Sequence, residues 1–142
     1  MKIRVINGPN LNMLGIREPE IYGRATYADL EAYIHESAAG LGVEADVFQS
    51  NHEGALVDII QQALGAADAI VINPAAYTHT SVALLDALKA VGLPAVEVHL
   101  SDVQAREDFR RVSYPSRACI GVIAGLGFAG YKKAMELLIA NI

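Results

Sequence analysis

Five short apolar runs, Ile3–Asn7, Ala45–Gln49, Ala69–Asn73, Ala95–Val98 and Cys119–Ala124, alternate along the chain with segments whose apolar residues recur at helical spacing. Leu56, Ile59, Ile60, Ala63 and Leu64 form one such stripe on a 3.6-residue period. The spacing predicts further helices at about 26–41, 80–91 and 127–141 and a short one near 104–111, with Gly42 and Gly92 as C-terminal stops. Strand-like runs rich in Val, Ile and Ala, joined by crossover helices, predict a parallel sheet covered on both faces: a three-layer α/β sandwich. A chain of 142 residues is near the modal domain size, so a single domain over 1–142 is expected.

An open parallel sheet binds ligands beyond the carboxyl ends of its strands, where the strand order reverses. With the order 2-1-3-4-5 the crevice lies at strands one and three. The segments just past strands one, three and four are NGPN with its long continuation, NPAAYTHTS and HLSD, the polar loops of the chain. This topology gathers Asn10, Arg17, Tyr22, Asn73, His79, His99 and Ser101 around one pocket. The first of these loops, NGPNLNMLGIREPEIYG over residues 7–23, is long for a compact domain, and such loops are commonly functional. Pro9 and Pro19 stiffen it while Gly8, Gly15 and Gly23 permit turns, so it could move as a lid.

Composition narrows the function. The net charge is −5 and no basic run occurs, which argues against a nucleic-acid partner. Arg106, Arg110 and Arg111 lie together and Arg17 and Arg24 bracket the first loop, offering local positive charge to a small anion. No apolar run is long enough to span a bilayer and MKIRVING lacks a signal-peptide core, so no membrane partner and a cytoplasmic location are expected. The single cysteine, Cys119, sits in an apolar run and reads as a buried, inert thiol.

Two histidines, a tyrosine, asparagines and an arginine, without paired carboxylates or a lysine, favour acid–base chemistry. A tyrosine serves as a base only when nearby positive charge lowers its pKa from about 10; Arg17, five residues before Tyr22, could supply it. Glu97 stands two residues before His99, on the same strand face, where its carboxylate could orient the imidazole and favour the protonated form suited to a general acid.

The same residues also have plainer readings. Tyr22 could pack its ring to close the loop, Arg17 and Glu18 could form a solvated pair, and Asn10 and Asn73 could bond only to turns. Asn7 is assigned to structure, and Asp102 to an N-cap. His35 reads as a surface residue and His52 as a local partner at a helix start. For His79 and His99 a satisfied structural histidine competes with a functional one.

Other motifs fail on context. Gly125, Gly127 and Gly130 spell GxGxxG, but no acidic residue follows at dinucleotide-fold spacing. The phosphate-loop sequence is absent, and a receiver domain needs acids where this chain has Asn7 and Asn73. The histidines lack metal-motif spacing, so no metal is expected.

NGPNLNMLGIREPEIYG, FQSNHEG, INPAAYTHTS and VEVHLSDVQAREDFR strongly resemble the signature segments of type II 3-dehydroquinate dehydratase, in order from Ile3 to about Tyr131. The resemblance implies a flavodoxin-like fold and a homododecamer built as a tetramer of trimers. It implies reversible anti elimination of water from 3-dehydroquinate, giving 3-dehydroshikimate, without a cofactor. It makes Tyr22 the base, as tyrosinate, with Arg17 lowering its pKa, Asn10 holding the water that stabilises the enolate, and His99 the acid, held by Glu97. Asn73, Ser101 and the backbone N–H groups of Leu100 and Ser101 match carboxylate contacts, and Arg110 and His79 match contacts to ring hydroxyls. Asp86 matches a residue reaching a neighbouring subunit's site. HLSD departs from the more usual HLSN at Asp102, which touches only local electrostatics.

Independently, Val82, Ala83, Leu84, Leu85, Ala87 and Leu88 make the helix around Asp86 apolar almost all round, which predicts burial and subunit contact. Lys2, Lys89, Lys132 and Lys133 fall outside the pocket loops, so no lysine imine is expected. The competing expectation is a flavodoxin-like module that binds small anions or nucleotides without catalysis.

Overall fold

Strand and helix alternate to close a five-stranded parallel sheet of order β2-β1-β3-β4-β5, seen in a computed structural model that describes residues 1–16, 20 and 24–142. The strands are β1 (Lys2–Asn7), β2 (Glu44–Gln49), β3 (Ala69–Asn73), β4 (Ala95–His99) and β5 (Gly121–Ala124). The described helices are α1 (Tyr27–Leu41), α2 (Glu53–Gln62), α3 (Val82–Val91) and α4 (Ala129–Ala140). The chain runs from β1 outward to β2, then crosses back to β3 on the other side of β1. That reversal opens the crevice beyond β1 and β3 that the sequence predicts.

Local chemistry sets the helix ends. Thr26 Oγ1 accepts from the Asp29 amide at 3.2 Å while the Asp29 carboxylate accepts from the Thr26 amide at 2.9 Å, a reciprocal box that starts α1. Ser81 Oγ accepts from the Leu84 amide at 3.0 Å to start α3. Gly42 and Gly92 end α1 and α3 in left-handed backbone, as their sequence positions predict.

Strand alternation splits the core in two. Ile3, Val5, Val71, Val96 and Val98 pack against Leu30 and Ile34 of α1 and Tyr131, Met135 and Leu138 of α4. Ile6, Ile70, Ile72 and Ala95 pack against Leu56 and Ile60 of α2 and Leu84 and Leu88 of α3. Each fully buried aliphatic side chain contributes about 1.5–3 kcal/mol, so both layers hold the sheet. Gly130 of the GxGxxG stretch serves this packing, since a Cβ there would stand 3.1 Å from Val98 Cγ2. Arg4 on the α2 side is held by Asp46 at 3.0 Å, by the Ile59 carbonyl at 3.1 Å and by the Phe48 ring.

Two expectations need correction. The last strand starts at Gly121 rather than Cys119, because Pro115–Ala118 forms a 3-10 turn that ends on Cys119. The helix expected near 104–111 is two 3-10 turns, Val103–Ala105 and Asp108–Arg111, interrupted where Arg106 takes extended backbone. On α3, Leu84, Leu85, Ala87 and Leu88 are buried within this chain while Val82, Ala83 and Asp86 are exposed, so part of the helix's apolar surface is left uncovered in the single chain, as its composition predicts. Among the described residues no helix is long and apolar enough to cross a membrane.

Candidate active site

The loops after β1, β3 and β4 converge on one crevice. Its lining includes Asn10, Asn73, His79, His99, Leu100, Ser101 and Arg110, all expected there, together with Pro9, Ala75, Val103 and Arg106. The two loops beyond β1 and β3 touch backbone to backbone. The Gly8 amide donates to the Asn73 carbonyl at 2.8 Å, and a Cβ on Gly8 would fall 2.5 Å from the Pro74 carbonyl oxygen. Only glycine fits such an approach.

Among the described residues, Asn10 (φ 70°) and Ala75 (φ 51°) are the non-glycine residues with positive φ, and both line this crevice. Strain of this kind costs about 1–3 kcal/mol per residue and concentrates at functional sites. For Ala75 it is held by the Asn73 side chain, whose Oδ1 accepts from the Ala75 amide at 3.1 Å. Asn73 therefore shapes its own loop as well as lining the pocket.

Below that loop, on the α1 and α4 side, lies a chain of neutral polar groups. Asn73 Nδ2 donates to the Tyr131 hydroxyl at 3.0 Å, which donates to Asn7 Oδ1 at 2.7 Å, and Asn7 Nδ2 donates to the Tyr27 hydroxyl at 3.3 Å. Burial pushes both phenols up from their ordinary value, Tyr131 most strongly. The structural role expected for Asn7 is what the geometry displays.

On the opposite face, His99 and Glu97 point the same way from β4, as period-two alternation requires. Their contact is 2.8 Å from His99 Nε2 to Glu97 Oε2, and both residues are buried. Ser113 Oγ lies 2.8 and 3.0 Å from the two Glu97 oxygens, and the Ser116 amide donates back to Ser113 Oγ at 3.2 Å. A carboxylate clamped in this way holds the imidazole in one orientation and leaves its second nitrogen for the pocket. A buried carboxylate beside an imidazole suits a histidine that must carry positive charge while it gives up a proton.

His79 ends the 3-10 turn Ala75–His79, and its Nδ1 lies 2.7 Å from the Val112 carbonyl. A carbonyl only accepts, so Nδ1 carries the proton and Nε2 is left for a ligand. Arg110 is paired with Glu107 at 2.6 Å and contributes positive charge to the pocket wall, as does Arg106. Ser101 and Leu100 directly follow β4, and Asp102 caps the next turn by accepting from the Gln104 amide at 3.0 Å. Cys119 stands apart from the chemistry. Burial, with the Glu97 charge adding, pushes its thiol up to about 12, and its Sγ lies 3.4 Å from the Pro115 carbonyl.

Tyr22 and Arg17, the expected base and its activator, lie outside the described residues. Asp86 is exposed on α3 and is not among the residues lining the crevice. Sequence reasoning missed Ser113 beneath Glu97 and Tyr131 beneath Asn73. It noted Arg106 as charge without placing it in the pocket. Ser113 left no signal, whereas Tyr131 could have been sought as a polar group on the apolar stripe of α4.

A family model described as "Dehydroquinase class II" matches residues 1–139. The chain is 58% identical to a catabolic 3-dehydroquinase of Verticillium alfalfae, over 95% of this chain and 90% of that protein. It is 53% identical to a 3-dehydroquinate dehydratase of Clostridium acetobutylicum, over 97% and 96% of the two. The fold superimposes on the crystal structure of a type II dehydroquinase from Butyrivibrio crossotus with a TM-score of 0.96 and 50% identity, covering 98% of this chain and 97% of the other.

Proposed function

The chain belongs to the class II dehydroquinase family, whose members are hydro-lyases, and from that premise we propose that it converts 3-dehydroquinate reversibly to 3-dehydroshikimate by anti elimination of water through an enolate. The observation that carries the proposal is the buried Glu97–His99 pair opening onto a crevice rich in hydrogen-bonding groups.

In this scheme Tyr22, ionised with help from Arg17, takes a proton from C2 beside the substrate ketone. The C–H electron pair moves into an enolate on the ketone oxygen, which Asn10 stabilises through an ordered water. Collapse of the enolate forms the C1–C2 double bond and expels the C1 hydroxyl, which leaves as water with a proton from His99. Glu97 offsets the imidazolium charge and fixes the ring. Asn73, Ser101 and the amides of Leu100 and Ser101 hold the substrate carboxylate, while Arg110 and His79 hold ring hydroxyls. Fixed dipoles aimed at developing charge are commonly the largest catalytic contribution. Acid–base chemistry alone completes the electron balance, so the scheme needs no cofactor.

Assembly as a dodecamer, a tetramer of trimers, and a cytoplasmic location belong to the same proposal. The exposed position of Asp86 on α3 is compatible with its reaching a neighbouring subunit's site.

Incubation with 3-dehydroquinate tests the activity directly. The ultraviolet absorbance of a conjugated enone carboxylate should grow, undiminished by a chelator, and Tyr22→Phe should abolish nearly all of that growth while substrate still binds. Binding without any absorbance change in the unmodified protein would instead support a non-catalytic anion-binding module. Borohydride in the presence of substrate should leave the protein mass unchanged, and a stable adduct would overturn the imine-free scheme.

A further inference from the structure

Asn51 lies in the short turn between β2 and α2, exposed, and is not among the residues lining the crevice. Its contacts nevertheless run toward the crevice. The side-chain oxygen accepts from the backbone amide of Asn10 at 3.0 Å and from Gln49 Nε2 at 3.1 Å. Its main-chain carbonyl accepts from the Tyr77 hydroxyl at 2.9 Å, and Tyr77 belongs to the turn that ends in His79. Gln49 Nε2 also lies 3.1 Å from the Gly8 carbonyl, so the end of β2 grips the first loop on both sides of Pro9.

Asn10 needs such a grip. It holds left-handed backbone at φ 70° ahead of the 3-10 turn Leu11–Met13, without a side-chain cap bond of its own. Its amide has no place in the sheet, and an unpaired amide there would favour relaxation of the strained backbone. Rotation of that backbone would swing the Asn10 side chain away from its place in the lining.

We infer that Asn51 is a positioning residue: its side-chain oxygen locks Asn10 into the conformation used in the reaction, while its main-chain carbonyl ties that loop to the one carrying His79. The inference rests on the role proposed for Asn10. Only an acceptor oxygen is required at position 51, and an exposed site tolerates substitution without loss of the fold.

The test is steady-state dehydration of 3-dehydroquinate by the intact protein carrying Asn51→Ala, Asn51→Asp, Asn10→Ala or the pair Asn51→Ala with Asn10→Ala, with thermal melting measured in parallel. Asn51→Ala should lower kcat about 10-fold, the scale of one hydrogen bond, with a smaller change in KM and an unchanged melting temperature. Asn51→Asp, which keeps the acceptor, should restore most of kcat, and the double variant should be no slower than Asn10→Ala alone. Multiplying defects, or an Asn51→Asp as slow as Asn51→Ala, would overturn the positioning role. Slow Asn10→Ala beside normal Asn51→Ala would overturn it while leaving the role of Asn10 standing. Normal turnover in Asn10→Ala would remove that role and the inference together.

Discussion

Two polar clusters sit at the same end of one sheet, on opposite faces, and burial does not distinguish them: Asn7 is 0% exposed and Asn73 3%, against 1% for Glu97 and 5% for His99. What differs is charge and closure. The Asn7–Tyr131–Asn73 chain, extended by Tyr27, is neutral, and except at Asn73, which also lines the crevice, its groups satisfy one another on the α1 and α4 side. The Glu97–His99 pair can bear charge, is braced from behind by Ser113, and reaches the crevice through His99, whose second ring nitrogen is not engaged by Glu97. A closed neutral network lends rigidity to the loops above it; a clamped ionisable pair with one open end can move a proton.

The largest expected effect falls on the open cluster. His99→Asn keeps a side chain able to bond Glu97 but cannot carry the proton, so turnover should fall about 10²–10⁴-fold with the circular dichroism spectrum unchanged. Turnover close to that of the unmodified protein would erase the distinction between the clusters.

Next comes Tyr131→Phe, which leaves Asn7 Oδ1 and Asn73 Nδ2 without their partner and should cost about 1–3 kcal/mol in urea unfolding. Its turnover per folded molecule should fall far less than that of His99→Asn. Equal kinetic losses from both variants would place the chemistry on both faces.

The pH dependence is subtler. Tyr131 has its folded pKa raised by burial, so above about pH 10 the unfolded chain loses this proton while the folded chain keeps it. Its contribution is therefore constant below that pH and declines as pH climbs, by about 1.4 kcal/mol per pH unit for this group. Stability measured between neutral pH and strong alkali should show this decline, and Tyr131→Phe should make it less steep, with Tyr27 supplying part of what is left. An unchanged profile in the variant would mean that the phenol ionises alike in both states.

The smallest effect is expected from Cys119→Ala. This residue lies near the charged cluster, yet its raised thiol pKa keeps it protonated at neutral pH. Turnover should be unchanged and iodoacetamide labelling of the folded protein should be negligible. Rapid labelling with loss of activity would add the thiol to the working cluster.

Legibility in the sequence followed the range of the interactions. The alternation of strand and helix could be read because periods are properties of whole segments, whereas the strand order came with the flavodoxin-like fold that the resemblance implies, and the crevice position followed from that order. The Glu97–His99 contact could be read because two residues on a strand share a face. Partners distant in sequence could not: Tyr131 meets Asn7 across 124 positions, and nothing near Glu97 announces Ser113. The turns at Val103–Ala105 and Asp108–Arg111 read as one helix because spacing does not reveal the extended backbone of Arg106.

The contact between Gly8 and the Pro74 carbonyl has a bearing on substrate scope. Where two main chains abut with no room for a methyl group, the gap between them is set by covalent geometry rather than by interchangeable side chains. At that seam there is no side chain to trim, so a version of this protein adapted to a bulkier molecule would have to gain its space elsewhere in the lining, as in the wall after β4 around Val103 and Arg106.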